Sequence, residues 1–154
     1  MTLPFLNLWT PYTVTITGST TDPTSGAGAS LSGYYFQNGS NLYINVQFFQ
    51  NAAGTNGSGR YIFNIPPGFT INTSVSGVDN YSSMGLNPVW GSGLINNYGT
   101  SSGIMNVMPH SSNSLLALIT DTTGTGYFGS ASSYAFSNTN MAFSFNVTLP
   151  LTPP

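Results

Sequence analysis

Apolar and polar residues alternate with a period of two along much of this chain, and this pattern constrains the fold more than any motif does. In residues 141–149, five large apolar side chains from Met141 to Leu149 alternate with small or polar ones. A strand points successive side chains to opposite faces, so this stretch predicts a strand with one buried face. Further strands are predicted at residues 12–16, 42–49 and 61–65 by the same alternation, and at 115–120 by a short apolar run.

Turn-forming residues separate these segments. Asn38-Gly39 stands between two β-forming runs and predicts a hairpin, and Pro66-Pro67-Gly68 predicts the end of a strand. The glycine-containing stretches 18–28, 51–59 and 121–129 predict loops. Roughly eight to ten short strands with almost no helix signal predict an all-β, antiparallel β-sandwich, and a jelly roll is the expected version.

The length suits one domain. We expect the domain to cover residues 9–150. An apolar N-terminal arm at residues 1–8 is expected to precede it, and a Pro-rich C-terminal tail at residues 151–154 to follow it.

Charged residues are scarce enough to exclude several classes of function. Arg60 is the only basic residue, Asp22, Asp79 and Asp121 are the only acidic ones, and the chain has no Lys, Glu or Cys. General acid–base catalysis, phosphoryl transfer and nucleic-acid binding all need more charge than this. Without cysteine, disulfides cannot stabilise the fold. A net charge of −2 provides little repulsion between molecules, which favours a subunit fixed in an assembly.

We expect the chain to be made and folded in a cytoplasm. Its first residues show neither the positive start nor the apolar length of a secretory signal, and no run is long enough to span a bilayer. Membrane and nucleic acid are therefore not expected as partners.

Three segments resemble a β-sandwich module of tailed-phage virion proteins, found in tail-fibre tips, head fibres and capsid decoration proteins. They are residues 9–36, the Gly-Ser-Gly turn and strand at 57–66, and the closing strand at 141–149. A Gly-Asp turn usually precedes the closing strand of the module, whereas this chain has Thr139-Asn140. The resemblance implies a jelly roll shaped like the complement C1q and tumour-necrosis-factor heads, and a homotrimer. The trimer interface is predicted at Tyr35, Phe49, Arg60 and Phe145.

The resemblance leaves two hypotheses of function. The first is a trimeric decoration (cement) protein that binds the major capsid protein on the outer shell of the virion, made in the host bacterial cytoplasm. The module opens directly after a short arm, without the shaft of a tail fibre, which favours this hypothesis. The predicted capsid-binding residues are Leu3, Phe5, Leu6, Leu8 and Trp9.

The second hypothesis is a receptor-binding fibre tip that recognises host surface glycans through exposed aromatic residues. Trp90, Tyr98 and Tyr127 are the candidates, because aromatic rings beside Asn and Ser can stack on sugars.

Catalytic and metal sites are not expected, and neither are cofactors. Residues 99–103 match the G-x-S-x-G pattern around Ser101, but no helix is predicted to follow, and His110 is the only histidine. Asp121 begins a Gly- and Thr-rich loop, but a single carboxylate makes a weak calcium site.

Overall fold

Antiparallel strands form one curled sheet in the computed structural model, which describes residues 8–77, 89–97, 101–121, 124–129 and 134–153. The all-β, antiparallel part of the prediction is confirmed. The strands are β1 Thr10–Tyr12, β2 Ile16–Gly18, β3 Ser30–Asn38, β4 Asn41–Gln50, β5 Tyr61–Asn64, β6 Gly91–Asn97, β7 Ser101–Ser111, β8 Ser114–Asp121, β9 Gly124–Tyr127 and β10 Met141–Pro150. The helix α1, Thr73–Ser76, is one turn long, and no helix in the described ranges has the length and apolar character needed to cross a membrane.

The order of the strands shows how the sheet curls. The order is β1-β3-β4-β10-β6-β7-β8-β5-β2, with β9 paired to β8. β1 and β2 lie at opposite ends of this order but are consecutive in the chain. Four residue steps from Tyr12 to Ile16 reach at most about 14 Å. The two ends of the sheet are therefore close together, and the sheet wraps around its own interior.

The crossing from β1 to β2 is fixed by one side chain. The backbone N–H of Thr15 donates to Asn64 Oδ1 at 2.7 Å, and Asn64 Nδ2 donates to the carbonyl of Thr13 at 3.0 Å. The prediction of a single strand at residues 12–16 is wrong, because β1 pairs with β3 and β2 pairs with β5. The alternation is nevertheless kept, since Tyr12, Val14 and Ile16 all pack against the core.

β4 and β10 form the central pair and follow the predicted alternation. Leu42, Ile44, Val46 and Phe48 of β4 are buried, as are the five large apolar residues of β10. Aromatic rings fill the interior of the curled sheet. The ring centroids of Phe63 and Phe145 are 5.2 Å apart and those of Tyr61 and Phe136 are 5.1 Å apart, and both pairs are edge to face. Each such pair stabilises the fold by about 0.5–1.5 kcal/mol beyond the contribution of its buried area.

One of the predicted turns is confirmed and one predicted loop is partly wrong. The hairpin at Asn38-Gly39 is confirmed: Asn38 pairs with Asn41, and Gly39 adopts φ 60° in the turn. The loop predicted at residues 121–129 is partly wrong, because β9 lies within it and pairs with β8. The tail begins against the domain, where Leu151 is buried and bridges to Ile71.

Candidate functional site

The outward side of β3, β4, β10, β6 and β7 forms one continuous surface, which we call the outer face. The strand registers place its side chains in rows that cross the sheet. Its residues are Ser30, Ser32, Tyr34, Asn45, Gln47, Phe49, Ser92, Leu94, Asn96, Ser102, Ile104, Asn106, Ala142, Ser144 and Asn146. None of these residues is charged.

One part of the outer face is an apolar patch, formed by Phe49, Leu94, Ile104 and Ala142. Phe49 is 42% exposed, Leu94 67% and Ile104 52%. Leu94 and Ile104 are directly opposite each other on β6 and β7, and Phe49 is opposite Ala142 on β4 and β10. A groove of about 630 Å³ includes Phe49, Leu94 and Ala142 in its lining, together with the amides of Asn45, Gln47 and Asn146. Contiguous exposed apolar side chains typically mark an interaction surface.

A row of hydrogen-bonded amides lies beside the apolar patch. Gln47 Nε2 donates to Asn45 Oδ1 at 3.1 Å, and Asn45 Nδ2 donates to Asn146 Oδ1 at 2.9 Å. In this amide row the hydrogen bonds all run the same way, with each amide N–H donating to the next residue from Gln47 through Asn45 to Asn146. Each amide carries donors and an acceptor, so Gln47 Oε1 at one end and Asn146 Nδ2 at the other remain for a further partner.

Two exposed rings lie on one side of the amide row, at β3 and just before β1. Trp9 is 46% exposed and Tyr34 is 39% exposed. Trp9 packs edge to face on Phe36 at 4.7 Å, and Phe36 stacks on Tyr43 at 4.4 Å, so the Trp9 ring is supported from beneath. With Asn45, Gln47 and Asn146, the two rings line a groove of about 420 Å³, which we call the aromatic groove.

The residues predicted for the trimer interface are separated in the structure. Phe49 lies on the outer face. Tyr35 points inward and packs edge to face on Tyr12 and Phe69. Phe145 is fully buried in the core of its own chain, so its side chain has no surface to offer a second subunit, and its assignment to an interface is corrected. Its position on the alternating face of β10 is the physical reason for this burial.

Arg60 lies away from the outer face, just before β5. Its guanidinium carbon is 3.7 Å from the centroid of the Tyr127 ring, a cation–π contact. Each of the two side chains therefore covers part of the other.

The rings predicted to contact glycans are largely engaged within the chain. Trp90 packs against the core, and its Nε1 donates to the carbonyl of Ser76 at 2.8 Å. Tyr127 is covered by Arg60. Tyr98 lies outside the described residues.

The described part of the G-x-S-x-G pattern, residues 101–103, lies in a strand. Ser101 opens strand β7, so it lacks the strand-to-helix turn that exposes a nucleophile. His110 is nine residues along the same strand, about 30 Å away at strand rise. Residues 99 and 100 lie outside the described part of the chain, as does Asp79. Among the described residues, no group of three metal-ligating side chains comes together.

Of the predicted arm, Leu8 is described and exposed, and Trp9 lines the aromatic groove. Leu3, Phe5 and Leu6 lie outside the described residues. Sequence reasoning identified Asn45, Gln47 and Phe49 as the side of β4 opposite the buried one. It missed Leu94 and Ile104, which stand in the short apolar pairs Leu94-Ile95 and Ile104-Met105 among Gly, Ser and Asn.

Comparisons with protein-family models, with curated proteins and with solved structures give no match to this chain.

Proposed function

We propose that this chain is a structural subunit of a phage particle: a jelly-roll decoration protein that self-associates into a trimer and attaches to the outer shell. The observation that carries the proposal is the uncharged outer face with its apolar patch. The curled antiparallel sheet is compatible with a jelly roll, and the virion context comes from the resemblance of residues 9–36, 57–66 and 141–149.

Self-association is the natural use of the apolar patch. Burying a Leu or Ile side chain fully contributes about 1.5–3 kcal/mol, and Leu94 and Ile104 are more than half exposed. The surrounding Asn and Ser side chains can form hydrogen bonds across an interface without the cost of burying a charge. Association of a particle subunit through this face should therefore depend little on salt concentration.

The oligomeric state tests the first part of the proposal. We expect light scattering after size exclusion to give three times the chain mass. Leu94→Asp or Ile104→Asp should yield a folded monomer, because either places a carboxylate in the apolar contact. Val75→Asp is the matched control, since Val75 is also an exposed apolar residue but lies on α1, outside the patch. A wild-type chain that remains monomeric would refute this use of the patch.

Attachment to the shell tests the second part. We propose that residues 1–8 contact the major capsid protein, because apolar side chains such as Leu3, Phe5 and Leu6 gain free energy by leaving water. Deleting residues 1–8 should leave a folded trimer that no longer co-sediments with capsids of the phage that encodes it. Full occupancy of capsids by the truncated trimer would contradict the role of the arm.

A further inference from the structure

We propose that the aromatic groove binds a neutral oligosaccharide. Trp9 and Tyr34 provide exposed rings, and Asn45, Gln47 and Asn146 provide hydrogen-bonding groups beside them. This inference does not depend on the virion assignment. The two rings lie outside the apolar patch, and the three amides also line the groove beside that patch.

The rings match the chemistry of a sugar. The axial C–H groups of a pyranose form a weakly polar surface that packs on the face of an aromatic ring. Trp9 is suited to this contact because Phe36 supports its ring while 46% of the residue stays exposed. A ring held in place before binding loses little conformational entropy when the ligand arrives.

The amide row matches the hydroxyl groups. A sugar hydroxyl both donates and accepts, and the row ends in an acceptor, Gln47 Oε1, and a donor, Asn146 Nδ2. Tyr34, Asn45 and Asn146 lie directly across from one another on three adjacent strands, which span about 10 Å at the usual strand spacing. The site is therefore wider than one sugar ring and fits an oligosaccharide better than a monosaccharide.

The absence of charge selects neutral sugars. The five residues that line the groove are uncharged, and Arg60, the one basic residue of the chain, packs on Tyr127 away from the outer face. An anionic sugar such as a sialic acid would lose hydration of its carboxylate in the groove and gain no ion pair in return.

The experiment is a glycan array that carries neutral hexose and N-acetylhexosamine oligosaccharides together with sialylated ones, followed by calorimetry on the neutral sugar that binds. Trp9→Ala and Tyr34→Ala should each weaken binding about tenfold, the loss expected for one stacked ring. Tyr34→Phe should retain most of the affinity, because it keeps the ring. Val75→Ala is the control, because Val75 is an exposed apolar residue that lines neither groove, and it should leave affinity within about twofold.

Several outcomes would overturn the proposal: a blank array, a preference for sialylated glycans, or equal losses with Val75→Ala. Circular dichroism of each variant separates loss of binding from loss of folding. The groove could instead hold a second copy of the chain, and light scattering of Trp9→Ala tests this alternative. A fall in the mass of the oligomer would assign the groove to a contact between subunits. Failure of the decoration role is measured separately, by Leu94→Asp and by deletion of residues 1–8.

Discussion

Gln50 is a buried amide whose hydrogen bonds join three separate segments. It follows Phe48 on the inward side of β4 and is fully buried. Its Nε2 donates to the carbonyls of Phe136 at 2.8 Å and Asn138 at 2.7 Å, and its Oε1 accepts from the N–H of Gly26 at 3.1 Å. A polar residue is tolerated at the end of an apolar row because each backbone group it meets needs a partner.

Replacing this amide is expected to be costly. Gln50→Leu keeps most of the volume but removes all three of these hydrogen bonds, although the Phe136 carbonyl still accepts from the N–H of Gly54 at 2.7 Å. We expect the free energy of unfolding to fall by about 2–4 kcal/mol, measured by urea denaturation. Gln37→Leu is the control, because Gln37 is exposed on the neighbouring strand and donates only to Gly39 in the adjacent turn. Equal effects of the two substitutions would contradict the role of Gln50.

Tyr12 shows the opposite situation, a buried polar group without a partner. Its hydroxyl makes no hydrogen bond among the described residues. Its ring fills the space beside Gly33, where an added Cβ would lie 2.6 Å from Tyr12 Cε1. Burial raises the pKa of Tyr12 above its usual value. Burial also raises the pKa of Tyr61 and of Tyr134.

These shifts predict loss of stability in alkali. In the unfolded chain a tyrosine ionises near pH 10, whereas the buried tyrosines stay protonated to higher pH. The stability they contribute is therefore fully present below about pH 10 and is lost as the pH rises from there through the raised pKa values. Tyr12→Phe should stabilise the protein by about 1 kcal/mol at neutral pH, since it removes an unpaired buried hydroxyl, and should make the alkaline loss shallower. A steeper loss in this variant, measured by urea denaturation across pH, would contradict the argument.

Among the elements, β6 depends most on glycine. A Cβ at Gly93 would lie 2.0 Å from the carbonyl oxygen of Ser144 and 2.6 Å from the Cα of Phe145. A Cβ at Gly91 would lie 2.2 Å from the carbonyl oxygen of Asn146. Both contacts are with the backbone of β10, which cannot move aside as a flexible side chain can. The close approach of β6 to β10 therefore requires residues without side chains.

Adding one methyl group at this point should disrupt the pairing. We expect Gly93→Ala to lower the free energy of unfolding by about 1–3 kcal/mol or more, because strand β6 must shift to avoid β10. Gly126→Ala on β9 is the matched control, since a Cβ there meets nothing within 4 Å. Thermal unfolding of the two variants compares them directly, and an unchanged melting temperature for Gly93→Ala would refute the packing argument.

The elements also show what the sequence can and cannot predict. β4 and β10 were predicted because their large apolar residues alternate and bury one face. β6 and β9 were not, because Gly91-Ser92-Gly93 and Gly124-Thr125-Gly126 carry no such alternation, and their strand conformation comes from pairing with β10 and β8. The outer face was only half predicted for the same reason: bringing Leu94 beside Phe49 depends on the strand order.

At the scale of the whole molecule, neutrality distinguishes this protein. It has four charged side chains, and Arg60 is engaged with Tyr127. The outer face contains none of the four. Contacts through that face would therefore be made by apolar side chains and neutral amides, which salt screens very little.

This neutrality predicts how the proposed association responds to conditions. Raising NaCl from about 50 mM to about 500 mM should change the association constant by less than about twofold, because few charges are screened. Cooling should weaken association, because burial of apolar surface loses driving force at low temperature. Sedimentation equilibrium across salt and temperature measures both responses. A tenfold loss of association in high salt would mean that charged groups carry the contact. Because the outer face has no charged residue, that result would place the interface elsewhere on the molecule and remove the apolar patch from the proposed function.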